Sequence, residues 1–218
     1  MDFIYFLIEL LTNTKEVLFQ LFQQYGTYIY VILFLIIFVE TGLVLMPFLP
    51  GDSLLFTAGL MCAQHTGLDI YILIGLLSLA AILGDNVNYF IGRYASDRML
   101  SVKFKGKQVV KQQWLDDVQH YFEKYGTKTI IIARFMPIVR TITPFASGIG
   151  HMKYRTFLPY DIFGGIFWVS SISLAGYFLG LIPVVENNLE KIILGIVFVS
   201  VLPMIIKIIQ VKLNKKNP

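Results

Sequence analysis

Long apolar stretches recur along the whole chain, and they limit most strongly what it can fold into. Uninterrupted runs occupy residues 70–92, 156–182 and 191–211, and each is about as long as the 20 residues that cross a bilayer as a helix. Hydrophobic residues make up 56% of the 218 positions and charged residues only 15%, too few to cover a soluble core. The sequence therefore predicts an all-α polytopic membrane protein with spanning helices at these three places.

Two further apolar segments are interrupted by residues that break helices. They occupy residues 28–62, which contain MPFLPGDSLL, and residues 129–150, which contain ARFMPIVRTITPFASG. Irregular backbone at membrane depth is tolerated only where protein or water satisfies its polar groups, so both segments should face the protein interior. The residues that we expect to shape these breaks are Pro47, Pro50, Gly51, Pro137 and Pro144.

The distribution of lysine and arginine orients the chain. The polar loop at 93–128, the turn at 151–155 and the basic tail at 212–218 hold most of the cations, so they should be cytoplasmic. Because both ends of 129–150 then lie on one side, this segment is predicted to be a re-entrant hairpin. By the same reasoning, the segment at 28–62 is predicted to enter the membrane from the outer face and return to it. The two segments would then belong to two halves related by a pseudo-inverted repeat. Alternatively, this first segment holds one full crossing and a shorter re-entrant piece.

The N-terminal region has a different pattern. Residues 3–24 alternate apolar and polar side chains at helical spacing, which predicts an amphipathic helix at the interface or packed on the bundle. A spanning helix remains an alternative, and the side of the N-terminus stays open. In the span at 156–182, the glycines of GGIFWVSSISLAGYFLG favour close helix packing.

Four charged residues lie in the two broken segments: Glu40, Asp52, Arg134 and Arg140. Left unpaired at mid-membrane they would together cost on the order of 10 kcal/mol, so they must be paired, hydrated or interfacial. A structural ion-pair network is the simplest reading. However, the planar fork of arginine matches phosphate, and the bend at Pro137 would let both arginines converge on one anion. Low dielectric favours the neutral form of a carboxylate, so the two acids are candidates for coupling proton movement to substrate movement.

Other polar residues are weaker candidates. Asp85 and Arg93 are expected to form a pair near the inner end of the 70–92 span, and Asp161 is a secondary candidate inside the next span. The three histidines lack metal-ligand spacing, so we predict no metal site, and nothing indicates a cofactor or a nucleic-acid partner. The sequence leaves the oligomeric state open.

Taken together, the ordered motifs ETGLVLMPFLPGDSLL, GDNVNYFIGR, EKYGTKTIIIARFMPIVRTITPFASGIGHM, Trp168 and GYFLG resemble the DedA family of membrane proteins, which is related to the SNARE-associated Golgi protein family. The similarity covers nearly the whole chain. It implies a bacterial inner-membrane protein with two opposed re-entrant hairpins and a role in lipid homeostasis that depends on the proton-motive force. The family's essential acidic pair corresponds to Glu40 and Asp52, and its arginine pair to Arg134 and Arg140. Two departures are Ser147 within Ala-Ser-Gly and Asp161, where asparagine is frequent.

The resemblance implies a transporter rather than an enzyme. Family members are implicated in returning undecaprenyl phosphate to the cytoplasmic leaflet, and others move phospholipids such as phosphatidylethanolamine. Here the two arginines would bind the lipid phosphate, and the acidic pair would exchange protons. The alternatives are a membrane-organising protein that transports nothing and a lipid-phosphate phosphatase. The phosphatase is disfavoured because it needs a histidine nucleophile and a second histidine supported by an acid, and no histidine neighbours the arginine motif in such an arrangement.

Overall fold

The structure is a computed structural model that describes residues 14–42, 51–64, 67–101, 103–104, 107–108, 120 and 122–182. Its elements, in chain order, are α1 (Thr14–Tyr25), the 3-10 helix η1 (Gly26–Tyr28), α2 (Ile29–Gly42), α3 (Gly51–Ala63), α4 (Ile70–Ser101), β1 (Lys103–Phe104), β2 (Lys107–Gln108), the 3-10 helix η2 (Gly126–Lys128), α5 (Thr129–Ala133), α6 (Pro137–Ile149) and α7 (Tyr154–Gly180). Apart from the antiparallel pair β1–β2, the regular structure described is helical.

Three helical stretches are long and apolar enough to cross a membrane: Glu16–Gly42, Ile70–Tyr94 and Tyr154–Gly180. The second and third coincide with the runs predicted at 70–92 and 156–182. The prediction of an all-helical membrane protein is therefore confirmed. Re-entry of the two broken segments and the pseudo-inverted repeat stay predictions, as does the span at 191–211, which lies outside the described residues together with the tail at 212–218.

The N-terminal part of the chain is helical from Thr14 onward, whereas residues 3–13 of the predicted amphipathic helix lie outside the described region. The stretch Glu16–Gly42 runs through α1, η1 and α2 and is 27 residues long. The 13-residue α3 follows it. This arrangement favours the alternative of a full crossing followed by a shorter piece for the first broken segment.

The polar region after the second span is more regular than a loop. Predicted to begin at residue 93, it is helical up to Ser101 because α4 continues past the apolar part. No proline or glycine occurs between Gly92 and Gly106, so nothing in the local sequence ends the helix where its side chains become polar. The predicted boundary was therefore wrong by about two turns of helix.

Close helix crossings hold the described bundle together, and they follow a reciprocal pattern. The short helix α3 packs along α7, and the short helix α6 packs along α4. At both crossings a glycine of each helix lies directly against a backbone carbonyl of the other: Gly59 faces Ser173 and Gly176 faces Phe56, while Gly148 faces Tyr89 and Gly92 faces Phe145. Small residues thus let the backbones approach closely, as the glycine-rich sequence of the last described span predicted.

A second feature also occurs twice, once in each half. A Tyr-Gly-Thr triplet occurs at 25–27 and again at 125–127, and in both places a 3-10 helix begins at the glycine. The φ angle is +54° at Gly26 and +59° at Gly126. Side chains other than glycine rarely adopt this conformation, so the identical Tyr-Gly-Thr sequence sets the same backbone break before α2 and before α5. The repeated triplet is a sign of two similar halves that the sequence analysis overlooked.

The segment at 129–150 is broken at one place rather than at every proline. α5 ends at Ala133, the backbone is extended at Met136, and Pro137 begins α6, a position that suits proline because its missing N–H has no helical partner there. Pro144 lies inside α6 without ending it, so the expectation that it interrupts the helix was wrong. The side-chain amide of Asn88 donates to the Thr141 carbonyl over 2.7 Å, so a neighbouring helix satisfies backbone close to the proline.

Candidate functional site

Arg140 joins the two helices of the first broken segment, α2 and α3. Its Nη2 donates to Oε1 of Glu40, near the end of α2, and its Nη1 donates to Oδ1 of Asp52, the second residue of α3, over 2.8 Å. Glu40 is completely buried and Arg140 is 8% exposed. Three of the four charges singled out in the sequence therefore meet inside the protein, while Arg134 lies in a different cluster.

Trp168 of α7 completes this site, although the sequence analysis used it only as one of the family motifs. Its Nε1–H donates to Asp52 Oδ1 over 3.0 Å, and its ring centre lies 4.9 Å from the guanidinium carbon of Arg140. The indole therefore orients one carboxylate and contacts the cation through its π face. Arg140, Glu40, Asp52 and Trp168 form what we call the Arg140 cluster. Gly51 borders it, because a Cβ at this position would collide with the Glu40 carboxylate.

Arg134 occupies a second cluster with partners that the sequence did not predict. Its Nη2 lies 2.5 Å from Oδ2 of Asp85 in α4 and 2.5 Å from Oδ1 of Asp161 in α7, and it also donates to the Asp161 carbonyl over 3.2 Å. All three residues of this Arg134 cluster are buried. The expected pair of Asp85 with Arg93 was wrong: Arg93 donates instead to the Met152 carbonyl over 3.5 Å.

The two clusters border the same internal cavity, which is lined by Thr41, Asp85, Arg134, Arg140, Thr141 and Trp168. Its volume is about 10 Å³, close to the room that a single water molecule needs. Both arginines border this cavity, but each has its own pair of carboxylates. The cavity is too small for a phosphate group, so convergence of the arginines on one anion stays a prediction.

Two asparagines of the DNVN sequence in α4 connect the site to its surroundings. Asn88 is fully buried and donates to the carbonyls of Thr41 over 3.2 Å and of Thr141 over 2.7 Å. It therefore links the end of α2 to the proline-containing α6. Asn86 donates to Asp161 Oδ2 over 3.4 Å. Sequence reasoning missed both residues, although three polar side chains within four residues of an apolar span were a signal of buried contacts.

A larger cavity of about 520 Å³ lies between helical residues 122–127 and the end of α6. Phe122, Thr127, Ser147, Ile149 and Met152 are among the residues that line it. It begins about 10 Å along α6 from Arg140, at a helical rise of 1.5 Å per residue. Its size is in the range of small-molecule sites, but the buried charges do not line it.

Comparison with known proteins places the geometry in a wider context. Residues 49–178 match the VTT domain family. The chain is 47% identical to Protein DedA of Escherichia coli (strain K12) over 97% of its own length and 96% of that protein. It is 48% identical to an uncharacterized membrane protein of Mycobacterium leprae over 78% and 75% of the two lengths, and 31% identical to the inner membrane protein YghB of Escherichia coli (strain K12) over 81% and 78%. No solved structure matches the chain significantly.

Proposed function

The chain belongs to the DedA family of VTT-domain membrane proteins, and we propose that it is a transporter that moves a lipid with a phosphate headgroup between the leaflets. The observation that carries this proposal is the pair of buried arginines, Arg134 and Arg140, which lie on either side of one cavity. A break in the helix separates them. Planar guanidinium groups match phosphate, so two of them beside one cavity support binding of a single headgroup once the site rearranges.

Binding requires the closed site to rearrange. Both arginines are engaged by carboxylates, while the Nε atom of each lacks a hydrogen-bond partner within the described part of the chain. A phosphate would therefore have to replace carboxylates as the arginine partner. Proton uptake by Glu40 or Asp52 removes the charge that competes for Arg140. Protonation would thus favour headgroup binding, and deprotonation would favour its release.

Protons can drive such a cycle. A proton that moves inward releases roughly 2.3 kcal/mol per 100 mV of transmembrane potential, which offsets the cost of moving an anionic headgroup in the same direction, and the proton gradient adds to it. We propose that the protein lies in the bacterial inner membrane with residues 93–128 and the C-terminus in the cytoplasm. There it would return undecaprenyl phosphate to the inner leaflet. Phosphatidylethanolamine presents the same phosphate chemistry and is the alternative substrate.

Purified protein in liposomes tests the proposal. The measurement is translocation of undecaprenyl phosphate, and separately of phosphatidylethanolamine, with and without a proton gradient. We expect proton-dependent movement of one of these lipids. Arg140→Lys should lose it while the protein still folds, because lysine cannot form the two-pronged contact with phosphate. Arg93→Lys is the matched control, since Arg93 lies outside both clusters, and it should retain transport.

The alternatives give different results in the same preparation. A membrane-organising protein predicts no translocation by the unaltered protein and no effect of Arg140→Lys on its cellular role. A phosphatase predicts release of inorganic phosphate from a polyprenyl phosphate. Translocation that Arg140→Lys leaves unchanged would refute phosphate binding by this arginine.

A further inference from the structure

We propose that the Arg134 cluster is a proton-binding site of its own, in which Asp85 and Asp161 share one proton beside the arginine. This inference deepens the proposed function and rests on it, because it adds a second proton to the one that the Arg140 cluster exchanges. Its ligand is a proton, and its site is built from α4, α7 and the break between α5 and α6.

The charges of the cluster do not balance. One guanidinium group faces two carboxyl groups, and Asp85, Asp161 and Arg134 are each at least 95% buried. Both carboxylates direct an oxygen to the same nitrogen, Nη2, at 2.5 Å, so they also face each other. Two carboxylates that share a buried site do not both stay ionised, because the second negative charge has no cation of its own. One bound proton leaves a balanced ion pair.

No further cation compensates for the extra carboxylate within the described part of the chain. The nearest positive group across the cavity is Arg140, which already faces Glu40 and Asp52. The groups that approach the Arg134 cluster from α4 and α7 are neutral: Asn86 contacts Asp161, and Gly164 and Gly165 pack against the arginine side chain. The same imbalance holds for the Arg140 cluster, so the two clusters together hold four carboxyl groups and two arginines.

A chain of hydrogen bonds connects the Arg134 cluster to the protein surface. The hydroxyl of Tyr154, a residue that is 37% exposed, donates to Asn86 Oδ1 over 2.5 Å. Asn86 donates in turn to Asp161 Oδ2 over 3.4 Å. Tyr154 is the first residue of α7 and adjoins the basic turn that we predict to be cytoplasmic. Movement of this ring would open Asn86 and Asp161 to water on that side.

The cavity relates the two sites to each other. It has room for about one water and is bordered by Asp85 of one cluster and by Arg140 of the other. A proton released by Asp161 can leave through water on the Tyr154 side, which is the predicted cytoplasmic side, as inward transport requires. Arrival of a phosphate between the arginines is then matched by protons on both pairs of carboxylates. Two protons would accompany each headgroup instead of one.

Infrared spectroscopy of the purified full-length protein in lipid nanodiscs tests the site without relying on transport. The measured quantity is the carbonyl band of protonated, buried carboxyl groups at neutral pH. We expect Asp161→Asn to remove about half of this band, because Asp85 then forms a simple ion pair with Arg134. Glu40→Gln should remove the other half, and the double variant should remove the whole band. Asp69→Asn is the control, since this exposed carboxylate accepts hydrogen bonds at the start of α4.

Asp85→Asn provides an independent version of the same test, because either aspartate can be the one that carries the proton. It should produce the same loss as Asp161→Asn if that variant does not fold. An unchanged band in a folded variant of either aspartate would overturn the shared proton. If the band behaves as expected but liposomes show no lipid movement, the proton site stands and the transport proposal fails.

Discussion

Replacing Arg140 by methionine tests how strongly one arginine stabilises the buried site. The change keeps much of the side-chain volume but removes the cation that Glu40 and Asp52 share. Without the cation, one more carboxyl group must stay protonated at neutral pH. The cost is about 4 kcal/mol, because the reference pKa of a carboxyl group lies about 3 pH units below neutral and each unit is worth about 1.4 kcal/mol. Buried ion pairs that lose one partner generally lose about 3–5 kcal/mol. We therefore expect the free energy of unfolding to fall by about 4 kcal/mol.

The assay is unfolding of the purified variant in detergent micelles, followed by circular dichroism at neutral pH and about two pH units lower. In the variant the folded state must bind a proton that the unfolded state releases, so its stability falls as the pH rises. The deficit relative to the unaltered protein should consequently shrink by about 1.4 kcal/mol for each unit of acidification. Adding Glu40→Gln to Arg140→Met should recover most of the loss, because only Asp52 is then left without a cation.

Arg93→Met is the matched control for this experiment. Arg93 makes one long hydrogen bond, to the Met152 carbonyl, and should lose no more than about 1 kcal/mol. An equal loss for both arginines would show that removal of any arginine is harmful. A deficit for Arg140→Met that does not change with pH would refute the argument that its carboxylates are ionised partners of the cation.

Two further predictions use the helix crossings and the indole. Gly92→Ala should lower the free energy of unfolding by about 1–3 kcal/mol, because a Cβ there would lie less than 3.0 Å from the Phe145 carbonyl. Gly75→Ala is the control on the same helix: its Cβ would enter open space, so the free energy of unfolding should rise by up to about 1 kcal/mol. A similar loss in both variants would contradict the close crossing. Trp168→Phe should lower the free energy of unfolding by about 2 kcal/mol, because the hydrogen bond to the Asp52 carboxylate is lost. An unchanged unfolding curve would show that this bond does not form.

Local sequence predicted which charges are buried but not how they pair. The apolar surroundings of Arg134 and Arg140 were enough to predict that both require partners. The pairing of Asp85 with Arg93 failed for a geometric reason: eight residues along one helix separate two side chains by about 12 Å, too far for contact. The partner of Asp85 lies instead on another part of the chain and is brought near by the crossing of α4 with α6.

Proline shows the same limit of local reasoning. Pro137 and Pro144 look equivalent in the sequence, yet the first begins a helix and the second lies within one. Pro137 is the first residue of its helix, where the missing N–H has no helical partner, whereas Pro144 lies inside the helix and leaves the Arg140 carbonyl, four residues earlier, without its helical donor. Nothing in the neighbouring sequence distinguishes the two positions.

Under the proposed function, the pairing of the arginines also determines when they can bind a phosphate. Carboxylates that neutralise Arg134 and Arg140 stabilise them in a low-dielectric interior, and by the same contacts they exclude a phosphate. A change in the charge of the carboxylates would reverse this preference. Because each arginine faces two of them, a first proton leaves a balanced ion pair, and a second proton would free the arginine for a phosphate. Four carboxyl groups around two arginines therefore suit a site that exchanges protons better than one that is purely structural, for which two carboxyl groups would suffice.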